Sequence, residues 1–124
     1  MISIPEEKRA IITSFLNSYK CPKVLTGYTI LLKVIHIATE DPKYADDINC
    51  EEIFRDYVSK LYPDENNGSL WKANYRAARY CIIRSEYEAT DCGRYSIPEF
   101  IQNGREYVHA ELLKKNGRPQ SAGA

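Results

Sequence analysis

Apolar residues in this chain recur at the three- and four-residue spacing of amphipathic helices, and prolines separate most of the segments that carry them. A proline disfavours the helical conformation in the residue before it, so each one marks a boundary. No stretch alternates apolar and polar residues with the period of two that a half-buried strand requires. The length of 124 residues suits one domain. We therefore predict an all-α fold, a single compact domain of about five helices.

The helix boundaries follow from local signals. The tetrapeptide Ser-Ile-Pro-Glu occurs at residues 3–6 and 96–99. In each copy the serine hydroxyl can cap the free N–H groups of the first helical turn. The proline lies in that turn, where its missing N–H costs nothing. The first predicted helix begins at the first of these segments and ends before Pro22. The other four span residues 26–40, 49–61, 68–88 and 96–116. The last of them should bury Phe100, Ile101, Val108, Leu112 and Leu113. The domain should cover residues 1–116, and the small, polar residues 117–124 should form a disordered tail.

Catalytic and metal sites are not expected. The cysteines Cys21, Cys50, Cys81 and Cys92 form no C-x-x-C pair, and neither histidine lies at ligand spacing from them. His36 lies within an apolar helix, and sequence places no Ser or Cys nucleophile beside His109. There is no glycine-rich phosphate loop. We predict a protein that is not an enzyme, with no cofactor, no metal and reduced thiols.

The sequence contains no signal for a membrane or for secretion. No apolar run approaches the roughly 20 residues of a membrane span. The first residues, MISIPEEKRA, carry a proline and two glutamates where a signal peptide needs positive charge followed by an apolar stretch. We expect a cytoplasmic protein.

The charges are balanced in number but not in position. The chain has 17 basic and 17 acidic residues, yet nine of the acids lie within residues 40–66. No acidic residue occurs in residues 68–85, which contain four basic ones. One side of the molecule should therefore be acidic and another basic.

The basic residues of the fourth predicted helix share one face. At 100° per residue, Arg76 lies about 40° and Arg79 about −20° from Lys72. Trp71, Tyr75, Tyr80 and Arg84 flank this stripe, and small residues lie opposite. A charged helical face is most often only solvated, but such faces usually mix signs for pairing along the helix. The absence of acids and the neighbouring aromatic residues favour a contact with nucleic acid.

A series of landmarks resembles the C-terminal effector domain of the sporulation initiation response regulator of endospore-forming bacteria. The landmarks follow one another in the family's order: Ile12–Ser14, Pro22, Gly27–Tyr28, Leu61–Pro63, Arg76–Arg79 and Pro98–Ile101. The chain departs from the family in a longer link over residues 62–68, and in Lys72–Ala73 where the family has Ser-Arg. We expect a stand-alone effector domain without a receiver domain.

The resemblance implies DNA binding through a helix-turn-helix whose recognition helix lies near residues 69–88. In such a motif the N-terminal residues of the second helix reach base edges, and other basic residues hold phosphates. The expected DNA-binding residues are Ser69, Lys72, Tyr75, Arg76, Arg79 and Arg84. Lys72 and Arg76 are assigned to the groove, and Arg79 and Arg84 to the backbone.

Two hypotheses of function remain open at this point. The first is a transcriptional regulator that binds double-stranded DNA, with or without sequence specificity. The alternative is a protein-protein interaction module on the same helical fold that has lost DNA binding. It would dock or inhibit a protein partner, through the acidic segment 40–66, whose carboxylates would repel phosphates. The sequence does not define an oligomeric state.

Overall fold

The computed structural model describes residues 2–63 and 68–123, with side chains up to residue 115. Within these residues it contains five α-helices and no strand, which confirms the predicted class. The helices are α1 (Glu6–Ser18), α2 (Thr26–Glu40), α3 (Cys50–Leu61), α4 (Leu70–Ile83) and α5 (Ile97–Gly123), with a 3₁₀ turn at Pro42–Tyr44. None of the described helices is long and apolar enough to cross a membrane. Helix α5 continues to Gly123, seven residues beyond its predicted end at residue 116. The side chains of residues 116–124 lie outside the described part of the chain, and the disordered tail at residues 117–124 stays a prediction.

Helix α2 forms the centre of the domain. Eleven of its fifteen residues are buried, including residues on every side of the helix. A helix that is apolar all round must be covered all round. The other four α-helices provide this cover, because each of them packs against α2.

The two Ser-Ile-Pro-Glu segments begin helices in different ways. At α5 the prediction holds, since Ser96 Oγ accepts a hydrogen bond from the Glu99 N–H at 3.3 Å. At α1 the predicted cap is wrong: the helix begins at Glu6, Pro5 takes the N-cap position, and no side chain caps it. Ser3 thus lies too far before the first turn. Two glutamates in that turn instead complement the positive end of the helix dipole.

Helix α4 ends at Ile83, five residues before the predicted end at residue 88. Ser85 Oγ donates to the Ile82 carbonyl at 2.6 Å and accepts from the Tyr87 N–H at 3.0 Å. The Glu86 N–H donates to the Tyr19 carbonyl at 2.7 Å. The Ser85 hydroxyl thus offers the backbone an alternative to further helical hydrogen bonds. The N–H of Glu86 then finds its acceptor in Tyr19, the residue just after α1.

The predicted inward face of α5 is correct for three residues and wrong for one. Phe100, Ile101 and Val108 are fully buried and Leu112 is partly buried, but Leu113 is 73% exposed. Leu113 lies about 140° around the helix from Val108, so it points away from the core.

Aromatic rings join α1 to α5 on one side of the core. Phe100 lies 5.2 Å from Phe15, 5.7 Å from Tyr19 and 5.0 Å from Tyr87, measured between ring centroids. The pair with Tyr87 is edge-to-face and the other two are tilted. Aromatic pairs that avoid face-to-face stacking stabilise beyond the area they bury.

Helices α2 and α4 approach each other closely at Gly27. A Cβ atom on Gly27 would lie 2.1 Å from the Ala77 carbonyl oxygen and 2.8 Å from the Cys81 Cβ. Only glycine fits against the α4 backbone there. The small residues on the inner face of α4 make this approach possible, as their spacing predicted.

Candidate nucleic-acid interface

Helix α4 presents its basic residues to solvent because its opposite face is held on two sides. Ala78, Cys81 and Ile82 are buried against the core. Helix α2 packs against this face through Gly27, and α3 packs beside it. The rotation of α4 about its own axis is thereby set by apolar packing.

Lys72, Arg76 and Arg79, which we call the basic stripe, are all exposed. Arg84 is exposed as well and forms the C-cap of α4. Within residues 2–63 and 68–115, none of these four cations forms an ion pair with a carboxylate. The ammonium group of Lys72 lies 6.0 Å from the centroid of the Trp71 ring, at the outer limit of a cation–π contact. The stripe is therefore an exposed positive surface.

The remaining predicted site residues differ in position. Ser69 is exposed at the N-cap of α4, and its hydroxyl caps no N–H. Tyr75 is not on the exposed face: its ring is half-buried and packs edge-on against Phe54 at 5.6 Å. Burial accordingly raises the pKa of the Tyr75 hydroxyl. Tyr80, which was expected to flank the stripe, is 52% exposed. The structure therefore brings four cations and Tyr80 together at the surface, while α3 holds the Tyr75 ring.

The segment that joins α3 to α4 comprises residues 62–69. The turn of a helix-turn-helix usually has three or four residues. The link between α3 and α4 is therefore longer than that turn, as expected for residues 62–68. Residues 64–67 lie outside the described part of the chain, and the helix-turn-helix element stays a prediction. The two helices themselves are in contact, with the cation–π pair of Arg55 on Trp71 at 5.5 Å between them.

Much of the acidic segment is neutralised within the domain. Glu40 pairs with Lys8, and Glu51 with Arg55 at 2.9 Å. Asp56 accepts hydrogen bonds from Lys60 at 2.7 Å and from the Tyr44 hydroxyl at 3.1 Å. Burial alone would raise the pKa of Asp56, but these hydrogen bonds and the nearby ammonium groups lower it. Asp46 and Asp47, by contrast, form no ion pair within the described residues.

His36 lies in α2 on the side away from the interface and is only 8% exposed. No hydrogen-bond partner reaches its Nδ1 within the described part of the chain. Burial lowers the pKa of the imidazole, against the opposing effect of Glu40. In the folded domain this histidine therefore stays neutral at pH values where, in the unfolded chain, it begins to bind a proton.

We expect the domain to lose stability as the pH falls from 7.5 to 5.5. The unfolded chain binds the proton of His36 near pH 6.5, whereas the folded chain binds it only at lower pH, so acid favours unfolding. At pH 5.5 this cost is at most about 1.4 kcal/mol. Urea denaturation at both pH values measures it. His36→Leu should reduce the pH dependence relative to the unaltered protein. Equal dependence in the variant and the unaltered protein would contradict the assignment to His36.

No protein-family model, curated protein sequence or solved structure matches this chain. The assignment of a function therefore depends on the site itself.

Proposed function

We propose that this protein is a cytoplasmic, non-enzymatic transcriptional regulator that binds double-stranded DNA through α4. One observation carries the proposal. The four cations of α4 are exposed on a helix whose inner face is fixed by packing, and no carboxylate of the described residues neutralises them. Lysine and arginine side chains that are already free of carboxylates pay no cost for breaking ion pairs when they bind phosphates.

The position of each cation along α4 supports a division of roles. Lys72 and Arg76 lie in the first half of the helix, the part that reaches base edges when a helix enters the major groove. Arg79 and Arg84 lie toward its C-terminal end and suit the phosphate backbone. Ser69 at the N-cap is exposed for a hydrogen bond to phosphate. For Tyr75 a role at DNA stays a prediction, since its ring packs on α3.

The order of landmarks in the sequence also supports this function. We infer a divergent relative of the effector domain of the sporulation initiation response regulator, with α3 and α4 in the places of the two helices of a helix-turn-helix. A role in sporulation belongs to the same inference.

The salt dependence of binding tests the proposal. On a mixed-sequence duplex, which offers no specific bases to read, all four cations of α4 should contact phosphates. Together they should contribute about −3.6 to the slope of log K against log salt, since each neutralised phosphate contributes about −0.9. Fluorescence anisotropy with a mixed-sequence duplex measures the slope between low and moderate salt. No binding at low salt, or binding that does not respond to salt, would contradict the proposal.

Removal of two stripe residues should weaken binding without unfolding the domain. We expect Arg76→Ala/Arg79→Ala to reduce affinity about 60-fold at 0.1 M salt and to make the slope shallower by about 1.8. The melting temperature should stay nearly unchanged, because both side chains are exposed. A charge-matched control is Arg9→Ala/Lys114→Ala, on α1 and α5, whereas α4 packs on α2 and α3. Equal effects of the two double variants would mean that the stripe has no special role.

A second candidate function is a protein-interaction module. A groove of about 460 Å³ lies between α5 and the loop after the 3₁₀ turn, and its lining includes the carboxylates of Asp46, Asp47, Glu99 and Glu106. These carboxylates favour a basic protein segment as the occupant. Recovery of one discrete protein partner, together with no binding of duplex DNA, would favour this function over the first.

A further inference from the structure

The turn between α1 and α2 is fixed beside the C-terminal half of α4. The Pro22 carbonyl oxygen lies 4.0 Å from the Cys81 Sγ. After the turn, Gly27 packs directly on the Ala77 backbone. Before it, the Tyr19 carbonyl accepts the Glu86 N–H at 2.7 Å. Contacts before, within and after the turn therefore tie it to the helix that carries the basic stripe and to the residues that follow it.

The tip of this turn projects into solvent. The Leu25 N–H donates to the Pro22 carbonyl at 3.2 Å, which closes the turn and places Lys23 and Val24 at its tip. Val24 is 94% exposed, and Lys23 is exposed as well. Within the described residues Lys23 forms no ion pair, whereas the neighbouring Lys20 pairs with Glu86 at 3.3 Å.

The turn extends the positive surface beyond α4. On a helix, Arg84 lies one turn after Cys81 and about 60° around the axis from it, and Tyr80 lies about 100° from Cys81 on the same side. The turn contacts α4 at Cys81, and Gly27 after it packs on Ala77, which lies about 40° from Cys81 on that same side. The turn therefore adjoins the edge of α4 that carries Tyr80 and Arg84. Exposed cations thus continue from the stripe, past Arg84, to Lys23 on a separate element.

We propose that Lys23 binds a backbone phosphate of the same duplex, at the edge of the groove that α4 enters. This inference rests on the proposed DNA binding by α4. A lysine ammonium is a compact point charge that needs no fixed orientation, which suits a phosphate contact rather than base reading. The backbone of the turn is held against α4 by these contacts, so Lys23 approaches the duplex together with α4.

Lys23→Ala in the full chain tests this inference. With a mixed-sequence duplex, we expect affinity to fall about eightfold at 0.1 M salt and the slope of log K against log salt to become shallower by about 0.9. Lys23→Arg should keep the slope. Two controls should leave the slope unchanged: Val24→Ala, which alters the turn without altering charge, and Lys114→Ala, which removes a charge on α5.

The outcomes separate this inference from the function on which it rests. If Arg76→Ala/Arg79→Ala weakens binding but Lys23→Ala behaves like Lys114→Ala, Lys23 makes no phosphate contact and DNA binding by α4 stands. If the unaltered protein does not bind the duplex at low salt, both proposals fail. Loss of affinity in Lys23→Ala with an unchanged slope would also overturn the phosphate contact.

Discussion

Replacement of Phe100 by alanine should destabilise the domain by about 3–5 kcal/mol, the largest effect that we expect from a single substitution. The Phe100 ring is fully buried and contacts three other aromatic rings, on α1 and on the segment after α4. Alanine would leave a cavity that these rings cannot fill without leaving their own contacts. For a domain with a typical stability of about 5–15 kcal/mol, this is a large fraction of the total.

Urea denaturation followed by circular dichroism measures the effect of Phe100→Ala. Leu113→Ala is the matched control, because it also removes a large apolar side chain from α5 but at a position that is 73% exposed. The control should change the free energy of unfolding by no more than about 0.5 kcal/mol. A loss below about 1.5 kcal/mol for Phe100→Ala would mean that α1 and α5 do not pack around this ring as described.

Replacement of Gly27 by alanine should cost about 3 kcal/mol and should also weaken DNA binding. The new methyl group would lie 2.1 Å from the carbonyl oxygen of Ala77, which is backbone and cannot swing aside. The α2 and α4 helices would have to separate. Because this contact also sets the position of α4, we expect the variant to lose affinity for DNA even under conditions where it remains folded.

The second glycine on a helix interface provides the control for Gly27→Ala. A Cβ atom on Gly104 would meet the Ile35 Cδ1 at 2.9 Å and the Phe15 ring at 3.1 Å, which are the ends of side chains. Gly104→Ala should therefore cost less, since small shifts of these side chains relieve the contact and alanine favours the helix by about 1 kcal/mol. Equal melting temperatures for the two variants would contradict the close approach of α2 to α4.

Much of the fold could be predicted because it depends on periodicity and on local signals. The predicted bounds of α2, residues 26–40, are correct, and its end before Pro42 follows from the proline. Asn49 caps α3 by accepting the Glu52 N–H at 2.9 Å. The same reasoning was wrong for the end of α4. There the backbone N–H of Glu86 donates to the carbonyl of Tyr19, just after α1, and this contact joins segments far apart in sequence. The exposure of Leu113 could have been read from its angle on the helix.

The candidate site could be predicted only in part, for a similar reason. The exposure of Lys72, Arg76 and Arg79 follows from their common angle on one helix. The inward position of the Tyr75 ring depends on Phe54, which lies on a different helix. Lys23 carried no sequence signal at all, since contacts between segments far apart in sequence, such as Gly27 on Ala77 and Pro22 on Cys81, bring its turn beside α4.

Mapping of amide chemical shifts during titration with a mixed-sequence duplex at low salt tests the central claim most directly. If α4 lies against DNA, the largest changes should fall on residues 69–84 and on the turn residues 23–25, with little change in residues 45–48. The absence of any change, or changes concentrated on the acidic loop instead, would contradict the claim that this surface binds DNA.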